Sequence, residues 1–169
     1  MHVIQVKAGS EGRAVELIGS FVDPTLYSEC FVPKRELMKK RRGEWSLGTE
    51  LLFPGYVFAQ TRRPGALAQA LRAVPAFTRL LGAGEAFIPL TREEVDLVNA
   101  LTQGSGRART ARMSTAVREG DEVRILQGPL MDKRAQVKRI DERKKLAYLE
   151  IEMLGRKAVV KLGLDIIRN

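Results

Sequence analysis

Leu51-Leu52-Phe53-Pro54-Gly55-Tyr56-Val57-Phe58-Ala59 reads as a central strand: apolar and aromatic residues predominate, and the Pro-Gly pair supplies a fixed turn at its entry. Tyr56 and Phe58 stand two residues apart and so share a sheet face. There they either fill a core or floor an exposed groove. An aromatic pair taken alone is ordinarily core, so the surrounding chain decides between the two uses.

Upstream, Val3 to Val6 form a short apolar strand, and Ser10 offers an N-cap to a helix that turns Ala14, Val15, Leu17, Ile18 and Phe21 inward and ends near Gly19. Cys30 to Val32 make a second strand closed by Pro33. The run Lys34 to Gly43 holds six basic residues and one acid in ten, which cannot be core. With Trp45 after Gly43, it predicts a hairpin whose tip is basic and whose return limb leads into the opening stretch.

Downstream, Pro64 suits the first turn of a helix through Leu67, Ala70, Leu71 and Val74, because its missing N–H costs nothing there, and Pro75 ends that helix. Phe77, Leu80 and Leu81 continue as an extended piece, and Gly82-Ala83-Gly84 turns the chain. Thr91-Arg92-Glu93-Glu94 is a capping box ahead of Val95, Val98 and Leu101 at helical spacing. Strands joined through helices predict a helix-flanked α/β sheet of the split βαβ kind over residues 1–103.

Residues 104–116 change character, with glycines, small polar residues and arginines, and read as a flexible linker. Over 117–169 the period becomes two. Ala147, Leu149, Ile151 and Met153 fall on one face, and Tyr148, Glu150 and Glu152 on the other. Four or five such strands predict a small C-terminal β-barrel, giving a two-domain α+β chain.

The net charge is +9, and it is unevenly placed: residues 1–103 hold 13 basic and 11 acidic side chains, residues 104–169 hold 16 and 9. A polyanionic partner is implied. The candidate phosphate contacts are Lys39, Lys40, Arg41 and Arg42 on the hairpin, then Lys133, Arg134, Lys138, Arg139, Arg143, Lys144, Lys145, Arg156 and Lys157 in the barrel, with Arg156 and Lys157 in a loop. Few aromatics lie among them, so recognition of phosphate and shape in a structured nucleic acid is expected rather than base stacking. A solvated hairpin is the competing account of the Lys34 to Arg42 run.

Catalysis is not indicated. Gly82-Ala83-Gly84 and Gly104-Ser105-Gly106 lack the further residues of a phosphate-cradling loop. His2 and Cys30 are each the sole member of their type, leaving no zinc cluster and no nucleophile–base pair. Glu93, Glu94 and Asp96 are accounted for as first-turn helix charges. Cys30 is expected to act as a small hydrophobe, with no disulfide, no cofactor and no metal. No apolar run reaches membrane-span length and the N-terminus is unlike a signal peptide, so a cytoplasmic protein without a membrane partner is expected.

Three stretches together resemble a family: Val3-Ile4-Gln5-Val6-Lys7, Phe53 to Phe58, and Val117 to Pro129, with Gly128 at the position of the KOW motif's glycine. They are similar to the NusG family of bacterial transcription elongation factors over nearly the whole chain. The resemblance implies a NusG N-terminal domain and an SH3-like KOW barrel. It further implies a monomer that binds RNA polymerase, with Phe53, Tyr56, Phe58 and Leu80 gripping the β′ clamp helices and the helix start near Leu67 touching the β gate loop. Upstream or non-template DNA joins the implied partners. Leu26 to Arg35 and the basic barrel look most like the LoaP branch of specialised antiterminators. In Gly128 to Ala135, Lys133 stands where housekeeping NusG has an aromatic, which favours an RNA ligand over Rho or a ribosomal protein. Antitermination recruited by a leader RNA hairpin is the implied function; a ribosome-associated KOW protein and a nucleic-acid-processing enzyme are the alternatives.

Overall fold

The computed structural model describes residues 1–83, 85–102 and 109–168. Gly84 and the linker residues 104–108, with Gly104 and Gly106 of the second glycine fragment, lie outside the described residues. In chain order the first elements are β1 (His2–Val6), α1 (Glu11–Phe21), β2 (Glu29–Phe31), β3 (Lys34–Arg41), β4 (Glu44–Leu51), β5 (Tyr56–Gln60) and α2 (Pro64–Leu71). There follow β6 (Thr78–Leu80), β7 (Gly82–Ala83), β8 (Ala86–Phe87) and α3 (Arg92–Thr102). The last part contains β9 (Thr110–Ala111), β10 (Ser114–Glu119), β11 (Glu122–Gln127), β12 (Val137–Asp141), β13 (Leu146–Met153) and β14 (Arg156–Ile167). They form two compact units, Met1–Pro33 with Phe53–Val95, and Lys34–Leu52 with Asp96–Asn169.

The first unit is built on a four-stranded sheet in the order β2-β5-β1-β6, antiparallel at every pairing. β1 and β2 are joined through α1 yet separated by β5, and β5 and β6 are joined through α2 yet separated by β1. These are two split βαβ units. Register sets the two faces: Ile4 pairs with Val57 and Leu80, whereas Val3 pairs with Phe58 and Gln5 with Tyr56. The first set packs with Ala14 and Ile18 of α1 and Leu67 and Leu71 of α2 in the unit's hydrophobic core.

Several local expectations are corrected here. The opening stretch is a strand only from Tyr56; Leu51 ends β4, and Phe53 to Gly55 turn the chain. Phe21 is exposed rather than inward. Ser10 precedes α1 without a side-chain cap bond. Instead the Glu11 carboxylate accepts from Gly9 N–H at 3.0 Å and from Gly55 N–H at 2.8 Å, tying the helix start to the Pro-Gly turn. α2 stops at Leu71, before Pro75, as the N–H groups of Arg72, Ala73 and Val74 tighten onto carbonyls three residues back. The capping box has its reciprocal bonds, Thr91 N–H to Glu94 at 3.0 Å and Glu94 N–H to Thr91 Oγ1 at 3.2 Å.

The second unit contains a five-stranded sheet, β11-β10-β14-β13-β12, whose ladders alternate inward and outward residues; Ala147, Leu149, Ile151 and Met153 are buried along β13. It also holds the basic hairpin β3–β4, extended by β9. Residues 110–111 and 114–116, inside the expected linker, are strands. Arg109 is buried as well, donating to Asn99 Oδ1 at 2.7 Å. The hairpin's β3 approaches β14 so closely that a Cβ on Gly163 would stand 2.6 Å from the Glu36 carbonyl oxygen. Only glycine permits that approach. Gly128, at φ +101, would place a Cβ 2.6 Å from Ser114 Cα, and the Ser114 hydroxyl accepts from Leu130 N–H at 3.1 Å. That glycine closes the turn after β11.

Candidate nucleic-acid interface and aromatic sheet face

All net charge resides in one unit. Residues 34–52 and 96–169 hold 22 basic and 13 acidic side chains, whereas residues 1–33 and 53–95 hold seven of each. The thirteen candidate phosphate contacts therefore belong to the second unit without exception.

The hairpin tip is made by the two residues Arg42 and Gly43, with φ of 50° and 84°, which matches the twist of the flanking strands. This tight turn fixes the register: Arg41 faces Glu44, Lys40 faces Trp45 and Lys39 faces Ser46. The Lys40 ammonium lies 5.7 Å from the Trp45 ring centroid, and the Lys145 ammonium lies 5.8 Å from it. Trp45 thus brings the hairpin tip beside the turn that carries Arg143, Lys144 and Lys145. Arg156 and Lys157 are not in that group, nor are they in a loop. They begin β14 after the Leu154–Gly155 turn, at the far end of the eight-residue β13, about 23 Å away at 3.3 Å per residue.

The basic residues also differ in what already engages them. Lys39 pairs with Glu50 at 3.3 Å, alongside Arg35 at 3.0 Å. Arg35's hydrogen bond, with Lys39's added to it, holds the Glu50 carboxyl below its ordinary range despite desolvation. Arg134 reaches Glu122 at 3.3 Å and Lys145 reaches Asp165 at 2.9 Å. The Arg134–Glu122 pair is exposed, hence weak and ready to yield to a phosphate, whereas Lys145–Asp165 is part-buried. Arg139 lies 4.1 Å over the Tyr148 ring, with Lys161 at 5.7 Å. Arg41, Arg42, Lys138, Arg143, Lys144, Arg156 and Lys157 are exposed, and Lys133 is half-buried.

In the first unit, Phe58 is fully buried, with Phe53 stacked at 5.5 Å and Phe31 tilted at 5.8 Å between centroids. Phe58 is therefore no open groove floor; Phe53 and Tyr56 are the half-buried aromatics of that face. Leu80 is not on it. The pairing with Ile4 places Leu80 on the opposite, helix-covered face, and Leu67 lies in the same core at 0% exposure. Near Leu80 there is a shallow cleft of about 300 Å³ shared with Ala68, Arg72 and Arg79.

Burial shifts both single-copy groups, Cys30 and His2, toward their neutral forms. Burial, then the Glu29 charge, pushes the Cys30 thiol up to about 12. Burial, then the positive N-terminus, holds the His2 imidazole below its ordinary value. Among the described residues no group of three His, Cys, Asp or Glu could hold a metal ion, and no helix is long and apolar enough to cross a membrane.

Trp45 and Tyr148 are the functional candidates that the linear reading passes over. Trp45 was within reach of it: counting back from a two-residue turn at Arg42–Gly43 sets Lys40 opposite Trp45. The Lys145 contact is tertiary and leaves no such trace.

Comparison with known proteins agrees with this architecture. The family model described as transcription termination factor NusG matches residues 2–99, and the KOW motif matches residues 119–150. The transcription termination/antitermination protein NusG of Escherichia coli K12 is 28% identical over 167 residues, covering 95% of this chain and 91% of that one. The protein of the same name from Thermus thermophilus is 28% identical over 140 residues, covering 79% and 76%. A solved structure of Thermotoga maritima NusG, reported for its domain interaction, superposes with a TM-score of 0.59 at 23% identity, covering 96% of this chain and 92% of that one. That likeness establishes a shared fold. With the family model spanning more than half of the sequence and the KOW motif following it, the chain belongs to the NusG family.

Proposed function

We propose that this protein is a cytoplasmic transcription termination/antitermination factor that holds RNA polymerase with its first unit and RNA with its second, promoting readthrough of terminators. The observation that carries the reading is the charge partition: the second unit contains the whole excess of +9, and the first is neutral. A polyanion is drawn to the one by counterion release. A protein surface suits the other, whose half-buried Phe53 and Tyr56 resemble the aromatic anchors of interface cores. The partner sites on polymerase are the β′ clamp helices for this aromatic face and the β gate loop for the α2 side. Within the family, the strongly basic second unit and Lys133 support placement nearest the LoaP branch, with a structured leader hairpin as the RNA.

The test is transcription in vitro across a terminator with purified polymerase, with and without the protein and candidate leader RNA. Readthrough that needs both is expected. Phe53→Ala with Tyr56→Ala, which spares buried Phe58, should abolish co-purification with polymerase while RNA binding persists. Retained polymerase binding by the folded double variant would remove the aromatic face from the mechanism.

A further inference from the structure

Trp45 is the chain's only tryptophan. It stands at the tip of a hairpin rather than in a core, with 37% of its surface exposed. Two ammonium groups, Lys40 and Lys145, lie 5.7 and 5.8 Å from its centroid, the latter also bonded to Asp165 at 2.9 Å. Arg41 and Arg42 are exposed immediately beyond it. Tyr148 is another aromatic flanked by cations, but there the Arg139 guanidinium already covers the ring at 4.1 Å. The Trp45 cations sit farther out. A base laid on the indole would gain stacking while its flanking phosphates meet the ammonium groups.

We infer that Trp45 is a stacking site for an unpaired RNA base, with Lys40 and Lys145 neutralising the phosphates on either side of it. The inference rests on the RNA-binding reading above and sharpens it: the second unit recognises unstacked bases, such as those of a hairpin loop, and not duplex shape alone. Sequence reasoning, which counted few aromatics among the basic residues, pointed the other way. The hairpin register and the Lys145 turn reverse it by setting the one tryptophan beside two ammonium groups.

The sole tryptophan makes the test direct. The full-length protein is titrated with single-stranded RNA of about twelve nucleotides, a length within the range such sites cover, and with a fully paired duplex of equal length. Tryptophan emission is read alongside affinity. Single strands should quench Trp45 on binding, the duplex should bind without quenching, and abasic positions in the single strand should relieve the quench. Trp45→Leu should weaken single-strand binding about 5- to 100-fold, with Trp45→Phe restoring most of it, since any aromatic face can stack a base. Duplex affinity should change little in either variant. Single-strand binding without quenching overturns the stacking site and leaves RNA binding standing. Equal losses for strand and duplex in Trp45→Leu also overturn it, because Trp45 would then only brace the hairpin. Failure of the wild-type protein to bind either RNA overturns this inference, and failure to bind the candidate leader hairpin as well overturns the RNA-binding function beneath it.

Discussion

The two units use charge in different ways. In the first, with seven basic and seven acidic residues, the informative carboxylate is Glu11, 2% exposed and spent on backbone N–H groups. In the second, with an excess of nine cations, arginines and lysines crowd turns and a hairpin tip, and pairs such as Arg134–Glu122 are exposed and weakly held. The first unit's electrostatics therefore serve its own fold, and the second unit's electrostatics face outward. One chain thereby presents a neutral unit with half-buried aromatics and a strongly cationic one.

The severest way to break this comparison is Phe58→Ala. Phe58 is fully buried between two rings, and deleting such a side chain costs about 3–5 kcal/mol because the cavity collapses only in part. Denaturant unfolding should show this loss. If the division of labour holds, RNA affinity of the second unit stays unchanged under native conditions; a parallel loss of RNA binding would mean that the two roles are not separable.

Gly128→Ala is the reciprocal perturbation. A side chain there meets Ser114 Cα at 2.6 Å from a backbone already at φ +101, so steric overlap and left-handed strain add to about 2–4 kcal/mol. RNA binding should fall with the melting of the barrel while co-purification with polymerase persists. Loss of polymerase binding instead would assign part of that interface to the second unit.

How much of this was legible in the sequence depended on whether a feature was local. The hairpin, the capping box and the inward face of β13 follow from residues near one another, and the structure contains them. Faces within a strand are local too, so Tyr56 and Phe58 share one as the spacing requires. Register between strands is not local. The resemblance implies a groove position for Leu80 beside Phe58, whereas its pairing with Ile4 sets it on the other face. Ser10 matched the composition of a cap, but a carboxylate one residue later, reaching a turn 44 residues away, does the work that a hydroxyl was expected to do. Residues 34–52 show the same limit: the hairpin lies within the stretch that the NusG family model matches, yet its contacts with β9 and β14 are tertiary and leave no local trace.

Glu11→Gln yields the smallest effect and tests the structural use of charge in the neutral unit. Desolvation works to raise the Glu11 pKa, but the N–H groups of Gly9, Glu11 itself and Gly55 together outweigh it, so the folded carboxyl titrates below its ordinary 4.5. A group with a depressed folded pKa contributes stability that is present above the unfolded value and lost as pH falls through the folded one. An amide keeps one acceptor oxygen but turns an NH2 group toward the N–H donors. The cost should be about 1–2 kcal/mol at pH 7, the range of a hydrogen bond to a charged group less the one that remains. Below pH 4.5 wild type and variant should converge, because protonation deprives the native carboxyl of the same charge. Asp23, also shifted downward, titrates in both proteins and cancels from the difference. Urea unfolding of the pair at pH 7 and at acidic pH measures this convergence. A stability gap that stays constant with pH would show that Glu11 acts through shape, and that the first unit uses its charges no more specifically than the second uses its exposed pairs.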